Sequence, residues 1–319
     1  MSEATSTLFD RGGENETVRD RLSELLENEL VLGYGSLSPV MLLFLFVAVF
    51  PILWALAGSF FAINAFDPVW NWTGLSNYVH IFTQDSFYWT AVGKSVIFGF
   101  GSVALQIVLG IAFSLILQKS FRGNALARAI VLLPYLVPVI VVGLVFSWMM
   151  DPNYGVINLL GMRLGIINDA VNFLGNSDIA MYAIIVAASW KWSIFVVMMT
   201  LARLEAIPSG YYDAARVNGA NAWQRFRDIT LPNLKGMIIL VVLLRGIWMF
   251  NKFDIIWIMT RGGPSNSTTT LPVYAYKVAF NQWHLGESLA IAATLFATLV
   301  VGAVIYFGKF DPTKEVRVE

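Results

Sequence analysis

This chain predicts an all-α integral membrane protein with six transmembrane helices and both termini cytoplasmic. Three observations carry that prediction. The 319 residues are 57% hydrophobic and only 13% charged, whereas soluble domains carry roughly 25% charged residues. Six apolar stretches are long enough to cross a hydrocarbon core about 30 Å thick, which takes about 20 residues at 1.5 Å each. Lysine and arginine are unequally divided between alternate loops, as orientation in a bilayer requires.

The elements follow in order. Residues 1–36 form an acid-rich cytoplasmic tail with Asp10, Glu14, Glu16, Asp20, Glu24, Glu27 and Glu29. Val18, Leu22, Leu25, Leu26 and Leu30 recur at helical spacing, so two readings stay open: a short amphipathic helix on the membrane surface, or a solvated tail. The first apolar run starts after this tail and is too long for a signal h-region, so no cleavable leader is expected. The membrane body spans 37–310, with crossings at about 39–63, 95–117, 128–150, 179–202, 237–259 and 288–308, and 311–319 form a second tail. The absence of cysteine excludes disulfides, thiolate metal sites and a cysteine nucleophile.

Orientation rests on the short loops. One side holds Arg11, Arg19, Arg21, Lys119, Arg122, Arg128, Arg203, Arg216, Arg225, Arg227, Lys235, Lys309, Lys314 and Arg317. The other holds Arg163, Arg261 and Lys277. The richer side is assigned to the cytoplasm, which places the 203–235 loop there. Externally, Trp70, Trp72, Tyr78, Tyr88 and Trp89 suit an aromatic belt, and Arg261–Ser267 has the Gly/Pro/Asn punctuation of a sharp turn.

The 203–235 loop is longer than a helix–helix connection needs. Pro208 and Ser209 start a short helix, with Pro ending the preceding helix and Ser as cap. Gly219 ends it in a left-handed conformation. Asn221 and Gln224 have the spacing of a capping box for a second short helix through Asp228, and Pro232 closes the unit before the fifth span. Two short helices around a glycine make a rigid knob suited to a cleft in a partner protein.

Asp213-Ala214-Ala215, three residues, Gly219, nine residues, then Ile229-Thr230-Leu231-Pro232 resembles the EAA loop of permeases in binding-protein-dependent ABC importers. Asp213 stands where that pattern has Glu, keeping the charge on a shorter side chain. Gly74-Leu75-Ser76-Asn77-Tyr78, and Phe253-Asp254 leading to Thr260-Arg261-Gly262-Gly263-Pro264, resemble the carbohydrate-uptake (maltose/glycerol-phosphate permease-like) branch. The resemblance implies one of two related permeases, forming half of a path for a sugar or related solute. It implies two separate ATP-binding subunits gripping Asp213, Ala214, Ala215, Gly219, Ile229, Leu231 and Pro232, and an external binding protein that delivers solute.

The residues themselves agree that no enzyme is present. A phosphate-cradling loop is missing: Gly93-Lys94-Ser95 is preceded by Tyr88 where the motif needs Gly. His80 and His284 form no metal or catalytic cluster, no metal or nucleic-acid partner is expected, and ATP belongs to the partner subunit. Ionisable residues within spans cost at least about 2.5–3.5 kcal/mol and face a cavity or a partner; here they are Lys191, Arg245, Lys252 and Asp254. At 100° per residue, Trp248, Asn251 and Asp254 share one helical stripe. That stripe is the candidate solute path, offering an aromatic face and groups for hydroxyls; a Lys–Asp pair with Trp248 merely packing is the competing reading. Pro134 and Pro138 predict a kink in the third span, either a gate hinge or packing geometry. Two alternatives remain: an ion-gradient-driven secondary transporter, or an ABC importer permease for a non-sugar solute.

Overall fold

The structure, a computed structural model, describes residues 29–64, 66–119 and 121–310. The expected tail helix within 1–28 and the tail 311–319 lie outside the described residues. The chain divides into two units, Met1–Ala57 and Gly58–Glu319.

The first unit carries nearly all of helix α1, which runs Glu29–Phe44, passes through a π turn at Leu45–Val49, and continues as Phe50–Gly58, its last residue opening the second unit. The π turn has a local cause. Pro51 has no N–H and its ring crowds the carbonyl four residues back. Widening the turn lets Phe50 N–H reach Leu45 O and relieves that crowding. The first span therefore ends at Gly58, not at residue 63, because Phe61–Asn64 is extended.

The second unit opens with a hairpin of β1 (Phe61–Asn64) and β2 (Asp67–Trp72), paired antiparallel with Phe61 opposite Trp72. Ring contacts between Phe60 and Trp72 (5.8 Å) and between Phe61 and Trp72 (5.1 Å) hold it. A short turn, α2 (Ser76–Val79, then a π turn His80–Gln84), leads to α3 (Ser86–Leu117), whose first turn is capped by Asp85 accepting from Phe87 N at 2.9 Å. The second span therefore starts nine residues earlier than the apolar run suggested.

The remaining elements are α4 (Asn124–Leu136), α5 (Val139–Met149), α6 (Val156–Arg163), α7 (Ala180–Glu205) and α8 (Ser209–Val217). After them come α9 (Ala222–Phe250, with a π turn at Phe226–Thr230), α10 (Asp254–Thr260), α11 (Leu271–Phe280) and α12 (Leu285–Lys309). Among the described residues, five helices are long and apolar enough to cross a membrane, or six if α4 and α5 form one broken crossing.

The centre of the unit is the pairing of α3 with α7. Gly110 lies where a Cβ would sit 2.5 Å from Val196 Cβ, so only glycine permits this approach. Beside it, Ser114 donates to Val197 O at 2.9 Å across the interface. Phe98, Ile184, Ile255 and Ile256 are buried in the main core, while Val196, Leu204, Leu234 and Val241 form a second core nearer the α8 end.

Two expected spans are interrupted. The third bends by 102° between α4 and α5. Pro138 pushes Val137 into extended backbone (ψ 128°), so α4 stops at Leu136 and α5 starts afresh. The fifth is displaced as well as broken: α9 begins at Ala222 and ends at Phe250, with α10 starting at Asp254. Pro232 does not close a separate unit, because a π turn again absorbs it, with Leu231 N–H bonded to Phe226 O. Asn233 Nδ2 donates to Ile229 O at 2.7 Å, satisfying a carbonyl at the same place.

Candidate coupling knob and solute path

The knob is built as its local signals demand, with two differences. Pro208 occupies the cap position of α8 and Ser209 is its first residue, so Ser209 makes no cap. Gly219 has φ +78°, and the end of α8 is a Schellman motif. Ala220 N donates to Ala215 O at 2.9 Å and Gly219 N to Arg216 O at 3.0 Å. Both halves of the capping box form: Gln224 N donates to Asn221 Oδ1 (2.9 Å) and Asn221 N to Gln224 Oε1 (2.7 Å). The helix started there is no second short one; it is α9 itself, unbroken to Phe250.

Tyr212 and Thr230 share a hydrogen bond of 3.0 Å, and Arg203 donates to Asn233 O at 2.9 Å, tying α8, α9 and the end of α7 together. Asp213 is exposed and paired with Arg216 at 2.8 Å. Ala214, Gly219 and Pro232 are exposed, Ala215 and Ile229 half-buried, and Leu231 40% exposed. Val217 (86% exposed) and Trp223 (66%) are large apolar side chains exposed in the same loop, with Trp223 against Phe226. Sequence reading placed Val217 and Trp223 within the loop without singling them out. Large apolar side chains on a rigid polar loop are the signal that marks them.

The far end of α9 carries the second region. Arg245 is 3% exposed and donates from Nε to Gln106 Oε1 of α3 at 2.7 Å. Its guanidinium lies over Trp248 (5.3 Å) and Phe195 (5.8 Å), and those two rings meet edge to face at 5.3 Å. Asn251 is the exposed C-cap of α9. Lys252 lies 3.5 Å from Asp254 and 4.2 Å above the Trp192 ring. Phe253 stacks on Trp257 at 5.3 Å, and Trp257 meets a tilted Tyr276 ring at 4.6 Å.

Trp248, Asn251 and Asp254 therefore do not form the single helical stripe that their spacing predicts, because the helix ends between the first two. The structure still gathers them at one break, with Trp248 on the last turn of α9, Asn251 in the break and Asp254 opening α10. The Lys–Asp pair of the competing reading is present too. Gln106, Trp192 and Phe195 join this region from α3 and α7, and no spacing within the fifth span points to them.

Gly93, Lys94 and Ser95 lie inside α3, and Ser95 Oγ accepts from Leu271 N at 2.8 Å, so they cradle no phosphate. His80 and His284 flank Glu287 at 3.2 Å and 3.5 Å. Among the described residues no cluster of His, Cys, Asp or Glu could hold a metal ion. In the 261–270 turn, Arg261 and Gly262 have φ of 52° and 86°, and Lys277 closes the turn by donating to Asn266 Oδ1 (2.8 Å) and Thr269 Oγ1 (3.1 Å). Burial there pulls the Lys277 ammonium below the ordinary lysine range.

A helical membrane body with interrupted spans and a capped knob at the start of α9 has the architecture of a membrane transport subunit. Residues 106–312 match the family described as the binding-protein-dependent transport system inner membrane component, and the chain belongs to that family. It is 34% identical to the trehalose/maltose transport system permease protein MalF of Thermococcus litoralis over 293 residues, covering 90% of this chain and 97% of that protein. It is 31% identical to the sulfoquinovosyl glycerol transport system permease protein SmoG of Agrobacterium fabrum, over 86% of this chain and 89% of the relative. A chain of a bacterial ABC transporter involved in importing the acidic polysaccharide alginate shares the fold, with TM-score 0.75 and 21% identity over 91% of this chain and 98% of that one. Membership in a binding-protein-dependent family replaces the self-sufficient, ion-driven alternative.

Proposed function

We propose that this chain forms half of the translocation path of an ATP-driven importer for a sugar or sugar derivative. The second half is a homologous permease, an external binding protein delivers the solute, and ATP is hydrolysed on two separate subunits. Both termini and the 203–235 loop face the cytoplasm, and Asp213, Ala214, Ala215, Gly219, Ile229, Leu231 and Pro232 belong to the ATPase-docking surface. The observation that carries this reading is the continuity of α9: one helix is capped inside the knob at Asn221 and ends at the break beside Trp248, Asn251 and Asp254. The sugar class is supported by the MalF and SmoG relatives and by the aromatic, amide and carboxylate groups at the break, which suit the C–H faces and hydroxyls of a saccharide.

The test is uptake by the complex rebuilt in liposomes with its partner subunits and binding protein. Trp248→Ala and Asn251→Leu should abolish most uptake while the complex still assembles and hydrolyses ATP. Uptake equal to native in both variants would remove these residues from the path. Equal uptake without ATPase subunits would sink the importer mechanism.

A further inference from the structure

The break in the third span leaves the last carbonyls of α4 without backbone donors, since Pro138 has no N–H and α5 starts in a new direction. Inside a bilayer such groups need a donor from the protein. One side chain supplies it: Lys191 of α7, only 7% exposed, donates from Nζ to Pro134 O at 3.3 Å and to Val137 O at 2.5 Å. A cation there also faces the negative end of the α4 dipole.

The same Lys191 connects the break to the solute path. It lies within electrostatic range of Asp254 and Lys252, and its neighbour Trp192 carries Lys252 over its ring. The helix it redirects, α5, packs directly on α10. A Cβ on Gly143 would sit 2.5 Å from Ile258 Cγ2, so the direction of α5 sets where α10 stands. Asp254 is the first residue of α10.

We infer that Lys191 is a positioning residue for transport: its ammonium replaces the backbone donor missing at Pro138, holds the bend in the third span, and so fixes the α10 wall of the path. This rests on the path proposed above. Two of the three Lys191 N–H donors are taken by backbone carbonyls at the bend, which ties the ammonium to α4.

The absence of native cysteine makes the bend directly measurable. Spin labels on cysteines introduced at the exposed positions Leu126 of α4 and Trp148 of α5 report the bend in lipid nanodiscs, whether or not the complex transports. In Lys191→Met the label distance should lengthen or broaden, and maximal uptake should fall at least tenfold. The concentration of loaded binding protein giving half-maximal uptake should stay unchanged. Lys191→Arg, which keeps donors, should retain the native distance and a measurable share of uptake. Adding Pro138→Ala to Lys191→Met should recover thermal stability, because an N–H returns at position 138, but not uptake, because the bend is then relaxed. A native label distance in Lys191→Met would overturn the inference, as would native uptake in Lys191→Met. A changed preference between neutral and acidic sugars would also overturn it, making Lys191 a solute contact. Native complex that transports nothing would defeat the path reading while leaving the label distances to decide the role of Lys191 at the bend.

Discussion

Gly219 offers the sharpest test of the knob. Its φ of +78° lies in the left-handed region, and a Cβ built there meets no heavy atom within 4 Å. The cost of a side chain is therefore backbone strain alone, about 1–2 kcal/mol for an ordinary L-residue. If docking requires the Schellman turn in its present geometry, that strain converts to roughly a 5- to 30-fold loss of affinity for the ATPase subunits, at about 1.4 kcal/mol per decade. The effect should be graded. Gly219→Asn should cost least, because asparagine tolerates this conformation; Gly219→Ala should cost more, and the β-branched Gly219→Val most. Gly219→Pro should abolish docking, since it forces φ near −65° and removes the bond to Arg216 O. The assay is solute-stimulated ATP hydrolysis in liposomes, titrated with ATPase subunit. Native affinity in both the Ala and Val variants would refute the reasoning, as would an Asn variant as poor as Val.

Two further outcomes follow from the packing. Gly110→Val should overpack the α3–α7 crossing and destabilise by about 1–3 kcal/mol, read as a lower melting temperature in detergent, and Val196→Ala should recover part of the loss; no recovery would mean the clash is relieved elsewhere. Gln106→Leu strips the buried Arg245 of its 2.7 Å acceptor and should cost about 1.5–3 kcal/mol, whereas Gln106→Glu should cost less; equal melting of both variants would show that the rings of Phe195 and Trp248 hold the guanidinium unaided.

The knob was readable because its signals are local: a glycine where α8 must turn, and an asparagine three residues before a glutamine. The apolar spans were readable for the same reason, being a matter of length and composition. The two breaks were not, because hydropathy is blind to backbone direction and apolar residues continue through both, at Val137 and Val139 and again at Phe250 and Phe253. Proline alone does not resolve them. Pro134 stays inside α4, Pro51 and Pro232 are absorbed by π turns, and of these four Pro138 alone ends its helix, at the 102° bend. The fifth break holds no proline or glycine; the hint was the polar group Asn251, Lys252 and Asp254 in an apolar run, which the one-helix assumption turned into a stripe. Gln106, Trp192 and Phe195 reach Arg245 and Lys252 from other helices, and only tertiary packing reveals such partners.

The unbroken course of α9 has a mechanical consequence. From Ala222 to Phe250 it measures roughly 42 Å at 1.5 Å per residue. A tilt of about 10° pivoting at the knob sweeps its far tip through roughly 7 Å over that length, wider than the thickness of a pyranose ring. A rocking motion too slight to disturb the side-chain packing around the pivot would thus open or shut a sugar-sized aperture at the tip. On the proposed coupling, α9 would act as a lever whose gain is set by helix length, so shortening it by whole turns should shorten the stroke in proportion.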